Sequence, residues 1–131
     1  MIGLDTNILV RFITQDDPKQ SAIANDVFEN QLSIRDPGFV SVVVMVETAW
    51  VLERSYGLEA GEIAAAVERV LQIENLFVED EQEVFAAFIA LRDGQGTFAD
   101  ALIGALNTRA GCRRTLTFDR KALRLPGFEH P

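Results

Sequence analysis

Short apolar runs that stop at acids or turn residues alternate along this chain with longer segments of helical period, and few folds accommodate that alternation. Met1 to Leu4 is brief, apolar and followed by Asp5, which reads as a buried strand entering a turn. Thr6 to Thr14 and Pro18 to Gln31 space their apolar residues as helices do, with Pro18 at a helix start, where its missing N–H leaves no bond unmade. Asp36-Pro37-Gly38 marks a turn and Phe39-Val40-Ser41 a short strand. The valines in Val42 to Tyr56 favour a strand, but the length of the segment and the glycine stop at Gly57 favour a helix. Glu59 to Gln72 is a further helix and Leu76-Phe77-Val78 a strand. Glu81 to Arg92 is an amphipathic helix with Val84, Phe85, Phe88 and Leu91 on one face. After the loop Asp93-Gly94-Gln95-Gly96, Thr97 caps a helix that runs to Ala110. Arg114 to Phe118 reads as a strand ending at Asp119, with at most one edge strand beyond it. Strands separated by helices call for an α/β fold, a parallel sheet covered on both faces.

A chain of 131 residues suits one compact domain, 1–131. With 48% hydrophobic and 24% charged residues it can bury a core without cross-links. The single cysteine, Cys112, excludes an internal disulfide and a thiolate metal cluster, and fits a reducing cytoplasm. The N-terminus has no basic, apolar leader pattern. The longest apolar run, Phe39 to Leu52, is interrupted by Ser41, Glu47 and Thr48 and is too short to span a bilayer. A soluble, cytoplasmic protein is expected.

The formal net charge is −8, which opposes phosphate binding. Its distribution changes the picture. From Arg109 to Arg124 there are six basic residues and one acid, a local balance of +5 against −13 for the remainder. A basic segment around a single acid, Asp119, would guide phosphate; as an alternative it is ordinary solvated surface.

Ligands of open parallel sheets bind beyond the carboxyl ends of the strands. Asp5 and Asp119 both stand at such ends, and neighbouring strands would bring them to one edge. Each also has a plain structural role open to it: Asp5 can cap the following helix, and Asp119 can open a turn. On a helix Glu47 is flanked by Val43, Val44, Trp50 and Val51, an apolar face on which a carboxylate needs an arginine or a metal to compensate it. Asp100 lies three residues after Thr97, so the two can form a capping box; equally, its helix N-terminus would lie near the strand ends. Carboxylates gathered in one cleft repel one another and suit Mg²⁺ or Mn²⁺. No other catalytic apparatus competes. His130, near the end of the sequence, reads as a tail residue, Cys112 as inert, and Gly94-Gln95-Gly96 is too short for a phosphate loop.

Four motifs in register carry a resemblance that spans essentially the whole chain: Asp5-Thr6-Asn7-Ile8-Leu9-Val10-Arg11, Val46-Glu47-Thr48-Ala49-Trp50-Val51-Leu52, Phe98-Ala99-Asp100-Ala101-Leu102-Ile103 and Thr117-Phe118-Asp119-Arg120. Together they resemble the PIN domain family, and within it the VapC ribonuclease toxins of toxin–antitoxin pairs. The resemblance implies a three-layer α/β/α fold with Asp5, Glu47, Asp100 and Asp119 as an acidic quartet. It implies a Mg²⁺- or Mn²⁺-dependent endoribonuclease that hydrolyses RNA with metal-activated water, pairs as a homodimer and is silenced by a cognate antitoxin. Asn7 and Thr117 would then orient carboxylates or water, and Arg11, Arg120 and Lys121 would face RNA. The strong overall acidity is the one departure from expectation. Other readings stay open: a PIN-type nuclease of RNA processing or repair, and a receiver-like binding module with an acidic pocket. Receivers require a lysine at a late strand end, where this chain has Asp119. Some apolar residues of the helices before Glu47, Ile23, Val27 and Phe28 among them, are expected to exceed the needs of the core and to form an antitoxin groove.

Overall fold

The computed structural model describes residues 1–131. Strand β1 (Ile2–Gly3) leads into helices α1 (Thr6–Thr14) and α2 (Pro18–Asp26), then β2 (Gly38–Val40). Helices α3 (Val42–Arg54) and α4 (Ala60–Leu71) precede β3 (Leu76–Val78), and α5 (Glu81–Arg92) and α6 (Phe98–Arg109) precede β4 (Thr115–Leu116). A 3₁₀ turn, Ala122–Arg124, separates β4 from β5 (Phe128–Glu129).

The strands form a parallel sheet in the order β1-β2-β3, with Ile2 opposite Gly38 and Val40 opposite Val78. Together with the helices this is an α/β fold with a central parallel sheet, of the α/β/α kind. Alternation along each strand sends Leu4, Val40 and Val78 into the core. Gly38 begins the central strand rather than ending the turn before it. A Cβ there would lie 2.7 Å from Leu76 Cδ2 and 2.9 Å from Leu32 Cδ1, so the close packing of this face requires glycine. The opposite row, Gly3, Phe39 and Phe77, is less well covered, with Phe77 54% exposed. The cover expected on both faces is therefore uneven.

Most helix starts reflect a capping signal in the sequence. Asp17, Ser41 and Thr97 accept hydrogen bonds from the free N–H groups of α2, α3 and α6. Glu59 and Glu62 form a reciprocal capping box on α4. The helices pack in sequence, α1 on α2 and α3, α3 on α4 and α6, α4 on α5, and α5 on α6. Leu9, Met45, Leu52, Leu102, Val40, Val70 and Val84 are fully buried between them.

Two expectations are corrected. The segment expected as one helix from Pro18 to Gln31 widens after Asp26 into a π-helical turn, Val27–Gln31. The side chains of Gln31 and Asn30 both donate to Asp26, at 3.0 and 2.7 Å, and hold its carboxyl below the usual range. The second correction concerns the late strand. β4 pairs in parallel with β5, Thr115 opposite Phe128, as a separate sheet and not as a neighbour of β1. Phe128 packs against Gly104 of α6, where a Cβ would come within 2.5 Å of the ring.

Candidate active site

Asp5 follows β1 and caps α1: its Oδ1 accepts the Thr6 N–H at 2.7 Å, and its second oxygen has no hydrogen-bond partner. The capping role is therefore real, and it leaves half of an exposed carboxylate free. Asp5, Asn7 and Glu47 open on one cleft of about 350 Å³ between α1 and α3, with Thr6, Arg11 and Tyr56 also in its walls.

Glu47 overturns the expectation of burial. Its carboxylate is exposed and makes neither an ion pair nor a hydrogen bond, because its apolar neighbours Val43 and Trp50 are themselves 73% and 54% exposed. The same residue reaches a second and larger groove, about 1020 Å³, which runs between α3, α4, the start of α6 and the 3₁₀ turn. Thr97, Phe98, Lys121 and Arg124 line that groove with Val43, Glu47 and Trp50. Glu47 thus stands on the ridge between a polar cleft and an apolar one.

Asp100 lies in the first turn of α6 and is half-buried. The Thr97 hydroxyl accepts its N–H at 3.1 Å. The return bond of a capping box, from the Thr97 N–H to the Asp100 carboxylate, is not made, so that carboxylate is also free. Asp119 is exposed just beyond β4. Its N–H donates to the Thr117 hydroxyl at 3.0 Å, and its Oδ1 accepts the Lys121 N–H at 2.8 Å. These two bonds fix the turn and leave Oδ2 unpaired. Neither Asp100 nor Asp119 lines the Asp5 cleft, though both adjoin residues of the larger groove.

Arg11 and the basic residues of 109–124 divide into two groups. Arg11 donates to Gln20 Oε1 and the Tyr56 hydroxyl, each at 2.7 Å, and pairs with Asp16 at 3.2 Å. It ties α1 to α2 and to the turn after α3, so its guanidinium, expected to face RNA, is engaged by protein groups. Arg109 is held by Asp80 and Glu83, and Arg114 by Glu129. Arg113, Arg120, Lys121 and Arg124 are exposed and unpaired. Of the residues named for an antitoxin groove, Phe28 is buried and stacked on Phe12 with ring centroids 4.0 Å apart, Val27 packs against the core, and Ile23 is largely exposed.

Reading the sequence did not single out Thr6 and Thr48. Both hydroxyls are buried without a partner, one beside Asp5 and one beside Glu47. An orphan hydroxyl is costly, and its place next to a candidate ligand is a signal that only coordinates reveal.

The carboxylate donor set suits a hard divalent cation. No three acidic, histidine or cysteine side chains stand close enough to enclose one ion. Mg²⁺ does not need such a cage, because it keeps several waters and is commonly held by one or two carboxylates together with substrate phosphates. Asp5 and Glu47 on one cleft meet that requirement.

Fold and site together define an α/β domain with carboxylates presented at the end of a parallel sheet. Residues 2–127 match the PIN domain family, and the chain belongs to it. PIN domains are generally metal-dependent nucleases that act on nucleic acid. No curated protein matches the chain. No helix is long and apolar enough to cross a membrane.

Proposed function

We propose that this PIN domain is a Mg²⁺- or Mn²⁺-dependent endoribonuclease and the toxin of a type II toxin–antitoxin pair. The observation that carries the reading is the cleft shared by Asp5 and Glu47, whose outward carboxylate oxygens have no protein partner. Asp5 and Glu47 would hold the cation, with Asp100 and Asp119 as the further carboxylates of the proposed quartet; the ion would supply Lewis acidity to a water nucleophile and charge to neutralise the phosphodiester.

The chain's own groups do the positioning. The Thr6 N–H fixes the rotamer of Asp5, and Thr117 with the Lys121 N–H fixes Asp119. Asn7, in the wall of the cleft, is placed to orient a water or a carboxylate. Lys121 and Arg120 carry charge to the phosphates, and their freedom from ion pairs supports that use.

The exposed Val43 and Trp50 in the larger groove support an apolar segment of the cognate antitoxin as its occupant. Lys121 and Arg124 on the opposite wall suit acidic residues of that segment. A homodimer belongs to the same reading. A small antitoxin gene beside the coding sequence distinguishes this toxin from a PIN nuclease of RNA processing or repair.

The test is incubation of antitoxin-free protein with a mixed RNA pool in Mg²⁺, Mn²⁺ or EDTA, beside Glu47→Gln. Cleavage that needs metal and disappears in the variant is expected, with the variant's melting temperature unchanged because Glu47 is exposed and unpaired. Absence of cleavage by folded protein in either metal would overturn the ribonuclease reading.

A further inference from the structure

Phe118 is the most exposed large hydrophobic residue of the chain, at 80%. Alternation explains its direction: Thr115 and Thr117 turn partly inward, while Leu116 and Phe118 turn out. No core packing accounts for a phenyl ring held in water between Thr117 and Asp119.

It has one aromatic neighbour. The His130 ring lies 5.7 Å away at 81°, edge to face. The two are brought together by the β4–β5 pairing, in which the Thr117 N–H donates to the Glu129 carbonyl at 3.0 Å. A perpendicular pair covers at most one face of either ring, so a flat apolar face stays open. Four exposed cations without ion-pair partners, Arg113, Arg120, Lys121 and Arg124, come from the same stretch of chain. In a protein of net charge −8 this is the segment with a basic excess, and its charge suits a polyanion.

We propose that Phe118, buttressed by His130, is a stacking platform for an unpaired RNA base, and that it seats the strand beside Asp119. Single-stranded RNA is recognised by aromatic rings stacked on splayed bases and by cations on the backbone, whereas bases in a duplex are inaccessible to such stacking. The platform selects single-stranded substrate and acts as a positioning group. The inference rests on the ribonuclease reading for its purpose, but not for its test.

The test is binding, measured in EDTA so that metal-dependent cleavage is silent. The probes are a fluorescein-labelled uridine hexaribonucleotide and an abasic hexamer with the same backbone, followed by anisotropy. Phe118→Ala and Phe118→Leu should each weaken binding of the uridine hexamer about tenfold, the order expected of one base–aromatic stack, and leave the abasic hexamer unaffected. Phe118→Trp should retain affinity. In a Trp50→Phe background, where the new indole is the only one, its emission should be quenched by the uridine hexamer and not by the abasic one.

Equal affinity of Phe118→Leu and the parent for the uridine hexamer would overturn the proposal, as would failure of the parent to bind it. A change of oligomeric state in Phe118→Leu with RNA affinity intact would assign the ring to a protein interface instead. Phe118-dependent binding without cleavage in any metal would leave the platform standing and remove the nuclease; cleavage without Phe118-dependent binding would do the reverse.

Discussion

Replacing Asp5 separates two roles that this side chain combines. As the cap of α1 it accepts one backbone N–H at 2.7 Å, and as a proposed metal ligand it offers its other oxygen to the cleft. Asparagine caps a helix about as well as aspartate, so Asp5→Asn keeps the first role and removes the charge needed for the second. The loss of a negative charge at a helix N-terminus costs roughly 0.3–1 kcal/mol. For a chain of this size that lowers the melting temperature by about 1–4 °C. Alanine also deletes the cap, at about 1 kcal/mol more. RNA cleavage should fall in both variants by on the order of a hundredfold or more, at or beyond the upper end of what removing even a supporting group at a metal site costs. The assay pairs thermal melts with initial rates of RNA cleavage in Mg²⁺. An Asp5→Asn protein that cleaves at the parental rate would refute the reasoning, leaving Asp5 as a cap and nothing more.

Two further outcomes follow from the scaffold. Hydrogen bonds from the Tyr56 and Thr14 hydroxyls hold the Asp16 carboxyl below its usual range. A depressed carboxylate adds stability above its unfolded pKa of about 3.9 and loses it as pH falls through the folded value; denaturant titrations below about pH 4 should show a shallower loss in Tyr56→Phe than in the parent. Leu52, fully buried on α3, should cost about 2–5 kcal/mol when cut to alanine, read as a lower urea midpoint with an unchanged slope.

Much of the architecture was legible because local chemistry agreed with the tertiary outcome. Pro18 at a helix start, Thr97 as a cap and glycine after α3 mark boundaries that the coordinates reproduce closely. The Val42 segment shows the limit of residue preference: five valines within α3 did not make a strand, because Ser41 caps a helix and the buried residues Met45, Thr48, Ala49 and Leu52 recur at helical spacing. Glu47 was misread for a related reason. Apolar neighbours at helical spacing imply burial only when something covers them, and here Val43 and Trp50 face an open groove. The place of β4 was illegible because strand order depends on contacts far apart in sequence. Arg11 gave no sign of its partners, since Asp16, Gln20 and Tyr56 come together only once α1, α2 and α3 have packed.

The contact between Phe128 and Gly104 reaches further than its size implies. Asp119 follows a strand that is not hydrogen-bonded to the three-stranded sheet; it inherits its coordinates from β4, β4 from β5, and β5 in part from a ring seated on a bare stretch of α6. A single added methyl at position 104 would push on that ring and pass the displacement along the chain of supports. The tolerance of one carboxylate's placement is thus set on the flank of a helix, by the absence of a side chain.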